Sequence, residues 1–155
     1  MRRPLRRFLL LIVAPILFTN CSNPPYQDSG WPVYYELDLT SAIAKPLLTP
    51  GGYVYITKAE VEPTALGLGG ILLIRSLVGD SQGEAYYAYD LACPVEKERG
   101  VRVVVNNKLE AECPSCKSTF SILYGGGGPT SGSASVPLFA YRTYRTGNRI
   151  VVTNR

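Results

Sequence analysis

Short runs of β-branched and aromatic residues, cut at close intervals by glycine, proline and asparagine, constrain this chain more than any other feature. Val, Ile, Tyr and Thr suit the pleated, half-buried surface of a strand. Val33 to Leu39 alternates, with Tyr35, Leu37 and Leu39 on one side. Further strands are predicted over 53–57, 71–75, 84–91, 108–112, 120–124, 138–144 and 149–153. Val101, Val103 and Val105 share one face of another. Gly51-Gly52 and Gly69-Gly70 precede two of these runs. Asn106-Asn107 and Thr146-Gly147-Asn148 mark turns. No amphipathic helix of useful length is present; Ser41 to Lys45 could hold one helical turn before Pro46. No internal repeat is visible. The expectation is an all-β domain. Its eleven tyrosines suit half-buried strand positions better than an aromatic binding platform. Trp31 is expected to anchor the start of the domain.

The chain opens with a basic head, Arg2, Arg3, Arg6 and Arg7, followed by an apolar run from Phe8 to Phe18 broken by Pro15. The run is shorter than the roughly 20 apolar residues that span a bilayer. A basic head and a short apolar core read as a signal peptide over 1–20. The next residue, Cys21, stands where the lipobox of bacterial lipoproteins has its acylated cysteine. Phe18, Thr19 and Asn20 occupy positions where leucine and small residues are usual, so an ordinary secretory peptide is the alternative. The lipoprotein resemblance implies lipidation at Cys21 and attachment to membrane in the cell envelope, facing the periplasm or on the outer membrane. Residues 21–32, rich in Pro, Ser and Gly, read as a flexible tether, and 33–155 as the domain. Four of the 16 basic residues lie in the signal peptide, and all 12 acidic ones follow it. The mature chain therefore carries 12 of each sign and has no basic, aromatic-interleaved patch for nucleic acid.

Histidine is absent from the whole chain. That excludes histidine-dependent triads, the facial triad and the usual zinc hydrolase sites. Beyond Cys21 the thiols are Cys93, in Leu91-Ala92-Cys93-Pro94-Val95, and the pair in Cys113-Pro114-Ser115-Cys116. Cys-x-x-Cys is a zinc half-site, to which Cys93 could add a third sulfur. It is also the spacing of a redox dithiol, although strands rather than a helix flank it here. Gly125 to Gly128 lacks the lysine and helix of a phosphate-binding loop. Ser131, Ser133 and Ser135 lack a base.

The order of these segments resembles the Rieske iron–sulfur domain. That family has a Cys-x-His loop, a Cys-x-x-His loop, a Ser-x-Phe strand entry and a Gly-Pro loop closing over the cluster. Cys93 and Cys113 fall on its two cysteines, Ser118 and Phe120 on the strand entry, and Gly128-Pro129 with Pro137-Leu138 on the third loop. The stretch 51–56 is similar to Rieske-like lipoproteins of the Bacteroidetes group. The resemblance covers about 33–154 and implies stacked antiparallel sheets with a small two-loop tip that carries the cysteines. The two histidines of the family correspond to Val95 and Cys116. A standard [2Fe-2S] centre, in which two histidines hold one iron, is therefore not supported. The resemblance implies that Cys93 and Cys113 lie close together, near bridging distance. An oxidising compartment then favours a disulfide between them, with Cys93–Cys116 the alternative pairing.

Two functional expectations result. The first is a membrane-anchored binding or structural module, not itself an enzyme, that has exchanged its cluster for the disulfide and holds no cofactor. The alternative is an electron-transfer protein with a modified [2Fe-2S] centre on Cys93, Cys113 and Cys116, its fourth ligand drawn from Asp90, Glu112 or a partner. In either case the protein partner belongs to a redox system or to the envelope.

Overall fold

The structure is a computed structural model in which residues 30–58, 65–79, 83 and 85–154 are described. Residues 1–20, expected to be a signal peptide, Cys21, and nearly all of the expected tether over 21–32 lie outside them. No helix among the described residues is long and apolar enough to cross a membrane.

Among the described residues, eleven strands form two antiparallel sheets, so the all-β expectation holds. They are β1 (Val33–Asp38), β2 (Tyr53–Ile56), β3 (Ala65–Leu66), β4 (Ile71–Arg75), β5 (Tyr86–Asp90), β6 (Val104–Val105), β7 (Glu110–Glu112), β8 (Thr119–Ser121), β9 (Pro129–Ser131), β10 (Ala140–Thr146) and β11 (Arg149–Thr153). The larger sheet has the order β2-β4-β5-β10-β11-β1-β3, and the smaller β6-β7-β8-β9. A 3-10 turn over Ala42–Leu48 runs through Pro46 rather than stopping before it. Proline lacks only a donor there, and its fixed φ suits such a turn.

The sequence of β4, Ile-Leu-Leu-Ile, explains how the layers join. Successive side chains of a strand point to opposite faces. Ile71 and Leu73 therefore enter one core with Val33, Leu37, Val54, Ile56, Tyr86, Ile150 and Val152. Leu72 and Ile74 enter a second core with Tyr89, Leu91, Phe120, Ile122 and Leu138. That second core lies between the large sheet and the small one and also holds Cys93 and Cys113. A strand buried on both faces needs an unbroken apolar run, as the sequence has.

Asn154 ties the domain start, Trp31 included, to the end of the chain's last strand. Val33 N–H donates to Asn154 Oδ1 at 3.0 Å, and Asn154 Nδ2 donates to the Trp31 carbonyl at 2.9 Å. Trp31 is 46% exposed, with the Arg99 guanidinium 5.2 Å from its ring centroid.

Candidate functional site

Two loops leave the ends of strands and converge. The first follows β5. Val103 N–H donates to the Leu91 carbonyl at 2.8 Å, and Cys93 N–H to the Val101 carbonyl at 3.1 Å. These bonds close the loop into a narrow finger. The second runs from β7 to β8, with Cys113 N–H donating to the Ser118 carbonyl at 2.9 Å. Each finger turns just after its cysteine. Lys97 N–H returns to the Cys93 carbonyl at 2.8 Å, and Lys117 N–H to the Cys113 carbonyl at 3.0 Å. The two lysines have φ of 55° and 59°. That conformation is rare for a residue with a side chain and costs about 1–2 kcal/mol.

The fingers bring the Sγ atoms of Cys93, Cys113 and Cys116 within 4.8 Å of one another. Cys93 and Cys113 are fully buried, and Cys116 is half-buried. The Cys93–Cys116 sulfur separation is 3.7 Å. All three are free thiols. The expected Cys93–Cys113 disulfide is thus not formed. A bridge needs sulfurs about 2.05 Å apart; here three sulfurs share one small volume, at the spacing of ligands around a common centre.

Their acidities differ with their surroundings. Burial pushes the Cys93 thiol up to about 12, although the Glu96 and Val95 N–H groups pull the other way; the neighbouring thiols add to the rise. At Cys116, burial acts upward but is outweighed. The Ser118 hydroxyl and N–H, with the thiols of Cys113 and Cys93, favour its thiolate, and its pKa falls below the ordinary value. The Cys116 Sγ to Ser118 Oγ distance is 3.3 Å. Ser118 is itself buried and accepts a hydrogen bond from Ala134 N–H at 3.0 Å.

Neither acidic residue expected as a fourth ligand joins the sulfurs; among the described residues the cluster consists of the three cysteines. Asp90 is fully buried and already committed. Its carboxylate accepts hydrogen bonds from Leu68, Gly69 and Ala92 N–H, each at 2.7 Å, and from the Tyr141 hydroxyl. Glu112 lies on β7 immediately before Cys113, and alternation along the strand sends its side chain to the other face. Val95 is 41% exposed and has no donor atom. Within the glycine run Gly127 packs inward: a Cβ there would come within 3.0 Å of Leu138 and Tyr89. The segment over Ser118 is 132–134, where a Cβ at Gly132 would lie 2.5 Å from Ser118 Cα. Sequence reasoning placed Ser118 at a strand entry without giving it a role toward Cys116. The signal was its position two residues beyond the thiol, on the far side of a turn.

No protein-family model matches this chain, and no curated protein matches it. Among solved structures it is similar to the ferredoxin of carbazole 1,9a-dioxygenase from Nocardioides aromaticivorans IC177. The identity is 21%, the TM-score is 0.45, and the match covers 80% of this chain and 98% of that one.

Proposed function

We propose that this domain is a metal–thiolate module that carries electrons, with an iron-containing centre on Cys93, Cys113 and Cys116. One observation carries the reading: three sulfurs from two loops, twenty residues apart in sequence at Cys93 and Cys113, gather within 4.8 Å. A centre of two cysteines and two histidines does not fit, because the chain has no histidine and Val95 offers no ligand. A centre held by three thiolates does fit. Ligation by thiolates, without imidazole, would make it electron-rich and lower its potential. We further propose attachment to the cell envelope through lipid on Cys21, which would hold the module beside a membrane-associated redox partner.

The competing reading, a metal-free binding or structural module, rests on a Cys93–Cys113 bond, and the three free thiols count against it. The test is anaerobic purification with visible absorbance, iron and labile-sulfide analysis, followed by a cycle of reduction and reoxidation. Thiolate-to-iron absorption that bleaches reversibly, and is lost in Cys113→Ala, is the expected result. A colourless, iron-free protein with one disulfide and one free thiol overturns it.

A further inference from the structure

The two cysteine fingers are two copies of one turn. Their sequences are Cys93-Pro94-Val95-Glu96-Lys97 and Cys113-Pro114-Ser115-Cys116-Lys117, a five-residue Cys-Pro-x-x-Lys repeat. The backbone repeats with them. In each, the lysine N–H closes onto the cysteine carbonyl, at 2.8 and 3.0 Å, and the lysine is left-handed. Side-chain exposure repeats as well: the cysteine is buried, the third position exposed, the fourth half-buried and the lysine exposed. The fourth position of the second turn is Cys116, which joins the sulfur cluster. The fourth position of the first turn is Glu96.

We infer that the site takes a single thiophilic divalent ion, Fe(II) or Zn(II), held by Cys93, Cys113 and Cys116, with the Glu96 carboxylate as fourth ligand. This deepens the reading that the three cysteines hold metal, and rests on it. Two observations favour one ion over a two-iron cluster. Tetrahedral sulfurs about 2.3 Å from one ion are separated by about 3.8 Å, and Cys93 and Cys116 stand 3.7 Å apart. Ligands at opposite ends of a two-iron cluster would be spread further, whereas all three sulfurs here lie within 4.8 Å. The repeat of the turn puts Glu96 at the position that matches Cys116, and so offers a fourth donor. Carboxylate oxygen is an accepted partner to thiolates in such sites. The Glu96 carboxylate stands outside the sulfur group in the structure, so the inference requires its side chain to turn inward when the ion binds. Binding sets three thiolates and one carboxylate around a divalent ion, and the protons of the three thiols leave to solvent.

The test is anaerobic titration of the reduced, metal-free protein with Co(II), followed by displacement with Zn(II). The expected result is one Co(II) per chain, with tetrahedral d–d bands and sulfur-to-cobalt charge transfer. Glu96→Ala should weaken binding at least about tenfold while keeping the charge-transfer band. Glu96→Cys should restore tight binding and enlarge that band in proportion to a fourth sulfur. Ser115→Ala, at an exposed position of the other turn, should bind as the wild type does. Two metals per chain with labile sulfide in the protein as purified, or Glu96→Ala binding equal to wild type, overturns the inference and leaves the three-thiolate reading standing. Failure of wild type and Glu96→Cys alike to take up any ion overturns both. A single zinc ion in the protein as purified supports the site and overturns electron carriage.

Discussion

Tyr141 on β10 donates its hydroxyl hydrogen bond to the buried carboxylate of Asp90 at the end of β5, and the same carboxylate holds the Ala92 N–H immediately before Cys93. One side chain thus ties the large sheet, the 67–69 turn and the first cysteine finger together. Asp90→Ala leaves three backbone donors and a phenol without an acceptor. At about 1–3 kcal/mol for each unsatisfied buried group, the domain should lose at least about 3 kcal/mol. Chemical denaturation measures this. Tyr141→Phe removes one donor and should cost about 1 kcal/mol. If Asp90→Ala behaved no worse than Tyr141→Phe, the carboxylate would not be the tie described.

The thiols should react in a fixed order. In the metal-free, reduced protein Cys116 is half-buried and the more acidic, whereas Cys93 is buried and kept protonated. Alkylation at neutral pH, read by mass spectrometry, should therefore label Cys116 first. Its rate should level off below the ordinary thiol value of 9.0. Ser118→Ala removes the hydroxyl beside the sulfur and should move that plateau upward. Equal labelling of Cys93 and Cys116 would contradict the assignment.

Stability of the metal-free protein should fall at alkaline pH. The Cys93 thiol ionises near 9.0 in an ordinary setting and at about 12 here. A raised folded-state pKa contributes stability that is full below the unfolded value. That contribution is lost as pH climbs through the window between the two. Melting temperature should decline from pH 9 toward 12. Cys93→Ala should flatten the decline. With metal present, stability should instead rise with pH near neutrality, since binding takes the deprotonated form and tightens as pH rises.

Gly132 is the position in the covering segment least able to accept a side chain. Its φ is +90°, and a Cβ there would lie 2.5 Å from Ser118 Cα and 2.6 Å from Ser118 Oγ. Gly132→Ala should cost about 2–4 kcal/mol through backbone strain and displacement of Ser118. It should also slow alkylation of Cys116. Gly126→Ala, at φ +75° with open space around it, should show the strain alone and leave Cys116 reactivity unchanged.

Much of the sheet framework was legible in the sequence, and for identifiable reasons. β4 and β11 match their predicted spans, Ile71–Arg75 and Arg149–Thr153, because dense apolar or alternating patterns end at clear turn residues. β3 and β9 were not foreseen. β3 has two residues, too few to show a pattern, and all three of β9 are exposed, so burial left no imprint there. The turn expected at Asn106-Asn107 spans 106–109. Asn106 Oδ1 accepts from Lys108 and Glu110 N–H, and Leu109 takes φ 58°, conditions that a dipeptide rule does not capture. The three cysteines were gathered as the family resemblance implies, and their free state was not. The Cys-Pro-x-x-Lys repeat escaped notice as well. Only three of its five residues recur, and its meaning lies in two hydrogen bonds and two left-handed lysines that residue identity does not reveal.

β4 leaves the tip without a hinge. Its alternate side chains belong to two different cores, so loss of the core beneath the cysteine fingers strips packing partners from a strand of the large sheet. Amide hydrogens of Leu72 and Leu73 should exchange with solvent at one common rate with those of Ala111 and Phe120, across both sheets. Loading the sulfurs would then slow exchange throughout the molecule. The fold would report occupancy of its tip as a change in global rigidity, legible to anything that grips the far side of the sheet.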